Sequence, residues 1–345
     1  MSWSLTDVSF RMAGRGDWRR LLPDEASRRG YARAYPDGAA VEQLSTSTRQ
    51  LAGRWEEAGI AVVEGGRIVP ASPIVTDADL RVLSSWFADV ASAMADVVAT
   101  DMPALRRCSK ELCASDAHAR EANVLTILAC AHALDLEAWR HVRLTLAGPH
   151  PQRGHAGHFF FWGYAFASGP RHIFGVSTYV VGELRLAILR SHALDRGELP
   201  ALLRDPSAVR SLALAFAGLD PPLDSRLVAA RLVAAPPAHL SVPVFDGPAW
   251  RRASGVVTRL GTALAVAFAA RVPSMGELLP ACTFARARRD DVLAMLFHLA
   301  YSYAAGALVY RGLVPPFPSS ALGEWGVWAH RNAGVDVNMP PITML

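Results

Sequence analysis

Apolar positions recur along the chain with two different periods. Near the start, Trp3, Leu5, Val8 and Phe10 stand among polar neighbours, an alternation that predicts a strand over 3–12. An Arg-rich stretch broken by Pro and Gly follows to Gly38. Residues 39–58 predict a helix, and IAVVEGGRIV at 60–69 predicts two short strands around Gly65-Gly66, a tight-turn dipeptide. A helix followed by a small hairpin is the shape of a winged-helix fragment. Thr76-Asp77-Ala78-Asp79 has the pattern of a capping box. Leu80, Leu83, Phe87, Val90, Met94 and Val97 then keep helical spacing, and Pro103 predicts an interruption. A second helix is predicted over 116–139.

Three β-branched and aromatic runs predict strands at 141–148, 158–166 and 172–181. Helical patterns return at 183–194, 207–217, 223–234, 249–270 and 289–311, and the stretch from Pro318 reads as irregular. Strands and helices fall in blocks without βαβ alternation. The expected class is therefore α+β, a mostly antiparallel sheet packed with several helices and a helix-rich C-terminal half. Three regions are expected: 1–72, a helical insertion at 73–140, and an α+β core at 141–345.

Composition narrows this picture. Hydrophobic residues are 51 % and charged residues 19 % of 345, which excludes extensive disorder. Lys+Arg exceeds Asp+Glu by 35 − 31, or +4, too mild an excess for a nucleic-acid-binding tail. Four cysteines without a CxxC pair exclude a disulfide scaffold and a zinc ribbon. The first residues lack a signal-peptide pattern, and the most apolar segment, Val292–Tyr310, is interrupted by His298, Tyr301, Ser302 and Tyr303. A buried amphipathic helix accounts for that segment, so a soluble cytoplasmic protein without membrane partners is expected.

Four constellations carry candidate chemistry. His141, His150, His155, His158 and His172 cluster in sequence, and three of them share the loop GPHPQRGHAGH. The spacing matches no zinc signature, so no metal is assigned. The loop is either a solvated basic surface or presents His155 and His158 to a pocket as proton donors. On the aromatic run, Phe160, Trp162 and Tyr164 share one face and Phe159, Phe161 and Gly163 the other. One face packs on helices; the other lines an apolar trough with Tyr164, Arg171 and His172 as its polar points. On the late helix, His298, Tyr301, Ser302 and Tyr303 either bond to neighbouring elements or face a cavity as proton carriers. Around Cys108-Ser109-Lys110-Glu111-Leu112-Cys113 the charges read as a solvated ion pair. No Walker A, GxGxxG, HExxH or GxSxG pattern occurs, so no cofactor is expected.

Three pieces resemble the lantibiotic dehydratase C-terminal family, which includes the thiopeptide pyridine synthases. The opening Trp3-Ser-Leu-Thr-Asp-Val-Ser-Phe followed by Gly16-Asp17-Trp18 is similar to that family's first strand and turn. FFFWGYAFASGPRHIFGVS is similar to its aromatic strand and Gly-Pro-His turn, with Arg171 inserted before His172. Phe297-His298-Leu299-Ala300-Tyr301-Ser302 is similar to its late His-x-x-x-Asn helix, with Ser302 in place of the Asn. The pieces cover about a quarter of the chain, and the aromatic strand comes later than in the family, as if 73–140 were inserted. The resemblance implies a cofactor-independent cyclase (a lyase) of peptide antibiotic biosynthesis. Two dehydroalanines of a modified precursor peptide would join by a formal [4+2] aza-cycloaddition, with loss of water and leader peptide giving a pyridine macrocycle. Tyr164, His172, His298, Ser302 and Tyr303 would serve as catalytic groups. Phe160, Trp162, Arg171, Tyr301, His155 and His158 would contact substrate. Arg106 and Arg107, with the arginines of 15–33, would hold the leader, and no nucleic acid would be involved. Two rivals stand beside it. One is a winged-helix transcriptional regulator with a ligand-sensing domain, weighed against by Glu56, Glu57 and Glu64 and by the absence of lysine in that region. The other is a metal-dependent hydrolase using the 150–158 histidines.

Overall fold

A computed structural model describes residues 8–116, 119–166, 174–181, 184–191, 202, 205–216, 219, 224–230, 232–234, 239–316 and 324–331. Along the chain these form β1 (Ser9–Gly16), α1 (Glu25–Arg33), β2 (Ala39–Ala40), α2 (Thr46–Glu57), β3 (Ala61–Glu64), β4 (Arg67–Pro70), β5 (Ile74–Thr76), α3 (Asp77–Val82) and α4 (Ser84–Ser115). There follow α5 (Glu121–Thr126), a π-helical stretch Ile127–Glu137, α6 (Ala138–Val142) and a π-helical turn Arg143–Ala147. The rest comprises β6 (Gly157–Ala165), β7 (Phe174–Val181), β8 (Leu184–Ser191), α7 (Pro206–Phe216), α8 (Ser225–Ala229), β9 (Val233–Ala234), β10 (His239–Leu240), β11 (Val244–Phe245), α9 (Gly247–Ala269), α10 (Val272–Leu278), α11 (Arg289–Tyr310) and β12 (Glu324–Arg331). The class is α+β, with mainly antiparallel sheets and a helix-rich C-terminal half. Two compact units form: the first takes 1–90, 142–170 and 268–300, the second 91–141, 171–267 and 301–345.

In the first unit β6 is the middle strand of the sheet β1-β6-β5, antiparallel to β1 and parallel to β5. A side chain at Gly163 would collide with Val8 Cγ1 at 2.8 Å, so the glycine lets the neighbouring strands close over it. On the Phe159/Phe161 face, Phe10 stacks on Phe161 at 5.4 Å and Tyr31 meets Phe161 and Trp55 edge-on. Tyr31 and Trp55 belong to α1 and α2, which cover this face. Both helices begin with side-chain caps: Asp24 with Ser27 in a reciprocal capping box, and Ser45 Oγ accepting from Thr48 N–H. A Cβ at Gly30 would lie 2.6 Å from Thr48 Cγ2, so the glycine lets the Thr48 side chain of α2 pack directly on the α1 backbone. A 3-10 turn at Val41–Gln43 precedes α2, and β2, β4 and β3 pair in that order into a small antiparallel sheet. This is winged-helix order and pairing, with the middle helix reduced to one turn.

One charge pair is fully buried in this unit. Arg153 Nη2 donates to both Asp291 carboxylate oxygens at 2.7 Å; its Nε donates to the Phe159 carbonyl and its Nη1 to the carbonyls of Ala58 and Gly59. Asp291 also accepts from Phe161 N–H and Ser72 Oγ–H, both at 2.9 Å. These charge-assisted contacts and the surrounding partners offset the desolvation of both ions.

In the second unit the sheet order is β11-β12-β8-β7, with β11 and β12 parallel and the other pairs antiparallel. Leu186, Ile188, Leu212, Leu227, Leu232 and Val242 build a core against it. The π-helical stretch is buried. A Cβ at Gly261 would lie 2.4 Å from Glu137 Cβ, so α9 lies directly on its end. Asp135 Oδ2 accepts from Val176 N–H at 2.9 Å and ties it to β7.

Several sequence expectations are corrected. Residues 141–148 are helical: the helix begun at Glu121 runs on to Ala147 and stops at Gly148, whose φ of 79° and bond to the Arg143 carbonyl form a C-terminal cap. Residues 184–191 form a strand; Leu186 to Leu189 are buried on both faces, which erases the alternation that marks a half-exposed strand. The stretch after Pro318 holds β12. Pro103 stands inside α4 without ending it, flanked by buried Val98, Met102 and Leu105 whose packing outweighs the lost hydrogen bond. Among the described residues the first strand is at 9–16, residues 3–7 of the expected strand lying outside them; the helix of 39–58 covers only 46–57, and that of 223–234 only 225–229 before β9. Every residue from Asp291 to Ala300 is buried, so α11 is a core helix and not an amphipathic one. Gly247–Ala281 and Arg289–Tyr310 are long and apolar enough to cross a membrane, but 78 % of the latter's apolar window lies inside the protein.

Candidate functional site

The first unit brings four expected residues together. Phe160, Trp162 and Tyr164 lie on one face of β6, as alternation requires, and Arg11 stands opposite Trp162 in register. The Trp162 ring lies 4.9 Å from His298 of α11 and 6.4 Å from Tyr164; His150 packs edge-on to Phe160 at 5.3 Å. His298 Nδ1–H donates to the Ala294 carbonyl at 2.7 Å, and burial lowers its pKa to about 4. The ring is therefore neutral near pH 7, with its lone pair on Nε2. Burial raises the Tyr164 pKa, so its hydroxyl stays protonated. Neither Trp162 Nε1–H nor Tyr164 Oη has a hydrogen bond of good geometry among the described residues. Two buried neutral donors beside a neutral imidazole suit a carbonyl oxygen that gains charge.

The remaining expected residues fall elsewhere. His155 is exposed on the turn before β6, and His158 is exposed at the start of β6 itself, opposite Arg15. Tyr301, Ser302 and Tyr303 lie on the part of α11 that belongs to the second unit, as do Arg106 and Arg107, exposed on α4. Ser302 Oγ accepts from Phe174 N–H at 3.1 Å, and burial raises the Tyr303 pKa. Arg171 and His172 lie outside the described residues. Among the described residues no group of three His, Cys, Asp or Glu is placed to hold a metal ion.

The second surface is the outer face of α2. Ser45, Thr46, Ser47, Arg49, Gln50, Gly53 and Arg54 are exposed, while Thr48, Leu51, Ala52 and Trp55 point inward. Ser47, Gln50 and Arg54 follow i, i+3, i+7 spacing and share a stripe. Arg49 and Arg54 have no ion pair or side-chain hydrogen bond among the described residues, and Arg33 on α1 is likewise exposed and unpaired. The acids that weighed against nucleic-acid binding sit at the far end. Glu56 Oε1 accepts from Val63 N–H at 3.4 Å, the Glu57 carboxylate lies beside Gly154, and Glu64 is opposite Arg67 across the hairpin. The N-terminal three-quarters of the helix therefore presents hydroxyls, an amide and two guanidinium groups with no carboxylate among them.

Sequence reasoning passed over His132 and Asp135 on the π-helical stretch. Both are buried, and burial raises the Asp135 pKa to about 7. Their only signal was two polar letters inside an apolar helical run. Comparison with family models, curated proteins and solved structures finds no match to this chain.

Proposed function

We propose that the chain is a DNA-binding regulator that reads duplex DNA with α2. The observation that carries this is the carboxylate-free stretch 46–54 of the outer face of α2, with Ser47, Gln50 and two unpaired arginines, mounted between α1 and the β3–β4 wing. Arginine suits phosphate and guanine edges, and glutamine pairs with adenine. Anisotropy of a labelled mixed-sequence duplex, titrated across salt concentrations, tests the reading. Log affinity is expected to fall linearly with log salt, and the Arg49→Ala, Arg54→Ala double variant to flatten that slope by about 2. Absence of binding at about 50 mM salt ends it.

A second reading keeps the peptide cyclase, favoured by the Trp162 and Tyr164 donors beside His298. In it these groups polarise the amide that reacts as its iminol and return the proton during loss of water. Mass spectrometry of a thiazole peptide bearing two dehydroalanines tests it: wild type gives the pyridine product, and His298→Phe slows its formation at least about tenfold. Tyr303→Phe, from the same expectation, is compared alongside. No product from wild type removes the reading.

A further inference from the structure

The second unit contains an aromatic box around one histidine. His132, 3 % exposed, has four rings about it: Trp250 at 4.8 Å, Trp328 at 5.2 Å, His330 at 5.4 Å and Phe245 at 6.1 Å. His330 uses both ring nitrogens: its Nε2 accepts from Trp328 Nε1–H at 2.9 Å and its Nδ1–H donates to the Phe245 carbonyl at 3.2 Å. His132 Nε2 is buried and has no partner among the described residues. A buried polar nitrogen left unpaired is costly, and in native proteins such atoms call for an explanation. The carrier is also unusual, since π-helical stretches occur often at functional sites.

Three walls of the box are closed: Trp328, Phe245 and His330 are all buried. The fourth, Trp250, is half-buried, stacks on Phe245 at 5.3 Å and 22°, and sits in the first turn of α9. The chain enters that turn through Gly247 at φ 66°, a left-handed conformation that glycine adopts freely. Trp250 is thus the ring best placed to move aside. The box already holds one indole N–H on an imidazole nitrogen, Trp328 to His330. His132 Nε2 is a second imidazole nitrogen of the same box, and it lacks that donor.

We propose that the second unit binds a flat heteroaromatic ligand of the indole class, which replaces the Trp250 ring against Phe245 and donates its ring N–H to His132 Nε2. Burial and the neighbouring His330 hold the His132 pKa well below its ordinary value, so the imidazole is neutral and keeps a lone pair to offer. Every residue used belongs to the second unit. Failure of this proposal leaves the α2 reading standing, and failure of DNA binding leaves this one standing.

The probes are indole and 1-methylindole, which share a ring system and differ in the N–H. Binding is followed by thermal shift and by the 15N resonances of the histidine rings. Indole is expected to bind wild type at least about tenfold more tightly than 1-methylindole, the loss that accompanies one buried hydrogen bond. In His132→Phe, checked by circular dichroism, the two probes are expected to bind alike. A weaker 1-methylindole there would mark a steric effect of its methyl group and overturn the hydrogen bond. Trp250→Ala vacates the place the ligand takes, so indole is expected to bind it more tightly than wild type and to raise its Tm further. If His132→Phe does not fold, the two probes on wild type and on Trp250→Ala decide the matter. Equal binding of the two probes, or no indole binding to either protein at about 5 mM, overturns the proposal and leaves the nitrogen to water.

Discussion

Arg153–Asp291 in the first unit and the His132 box in the second are both polar clusters withdrawn from water, and they are built on opposite terms. In the first, two full charges are buried and their partners are complete: five carbonyl, amide and hydroxyl groups surround the ion pair. In the second, nothing is charged, yet one nitrogen is left without a partner. A completed charge network has no capacity for a ligand, and removing one member strands the other. An incomplete neutral cluster tolerates removal of its odd member and has one place to fill. The contrast separates polar residues that hold a fold from those available for recognition.

The largest effect should come from breaking the complete network. Asp291→Ala is expected to destabilise the protein by about 3–5 kcal/mol in chemical denaturation, because the Arg153 guanidinium stays buried and uncompensated. The Arg153→Met, Asp291→Leu double variant should cost clearly less than Asp291→Ala alone; an equal or greater loss would show that the pair itself, not the stranded charge, is what matters. Asp135 sharpens the comparison from the side of the second unit. Its folded pKa, about 7, lies above the ordinary 3.8, so between those values the folded state holds a proton that the unfolded state has released. Stability from this group is present below pH 3.8 and declines as pH rises toward 7. Asp135→Asn keeps an acceptor for Val176 N–H and should overtake wild type by at least about 1 kcal/mol at pH 8, with little difference at pH 4. A parallel pH dependence of the two proteins would refute the raised pKa. The smallest effect belongs to His132→Phe, whose apolar ring removes the unpaired nitrogen. Stability without ligand is expected to change by less than about 1 kcal/mol, in either direction. A loss of 3 kcal/mol or more would show that His132 is as fully bonded as Asp291.

Local chemistry was legible in the letters. Thr76 and Asp79 form the reciprocal cap their spacing announces, and Gly65-Gly66 joins the hairpin. The division of the aromatic strand into a Phe160/Trp162/Tyr164 face and a Phe159/Phe161/Gly163 face holds, because a strand alternates whatever its surroundings. What escaped was either buried on every side or distant in sequence. Residues 184–191 hold the unbroken apolar run Leu186–Leu189 between Arg185 and Arg190, and that run carries no strand period. His141–Ala147 alternates like a strand, yet belongs to a helix whose end is marked only by Gly148. The parallel pairing of β5 with β6, and the meeting of Arg153 with Asp291 across 138 positions, leave no local trace. The α2 face was half visible: Glu56 and Glu57 stand out in the letters, but their turning toward the hairpin and the Gly154 loop depends on tertiary contacts. His132 became a candidate only when its nitrogen was found without a partner.

The grip of Arg153 on the carbonyls of Ala58 and Gly59 bears on how the protein is made. Residues 24–70 leave the ribosome as a nearly finished helix-and-hairpin piece, yet the exit of α2 waits for a side chain 95 positions later, and that side chain waits for Asp291. This helix-and-hairpin piece is thus sealed only after Asp291 has been made. A chain released early carries an arginine with nothing to neutralise it, and such a fragment is a natural target for quality-control proteases.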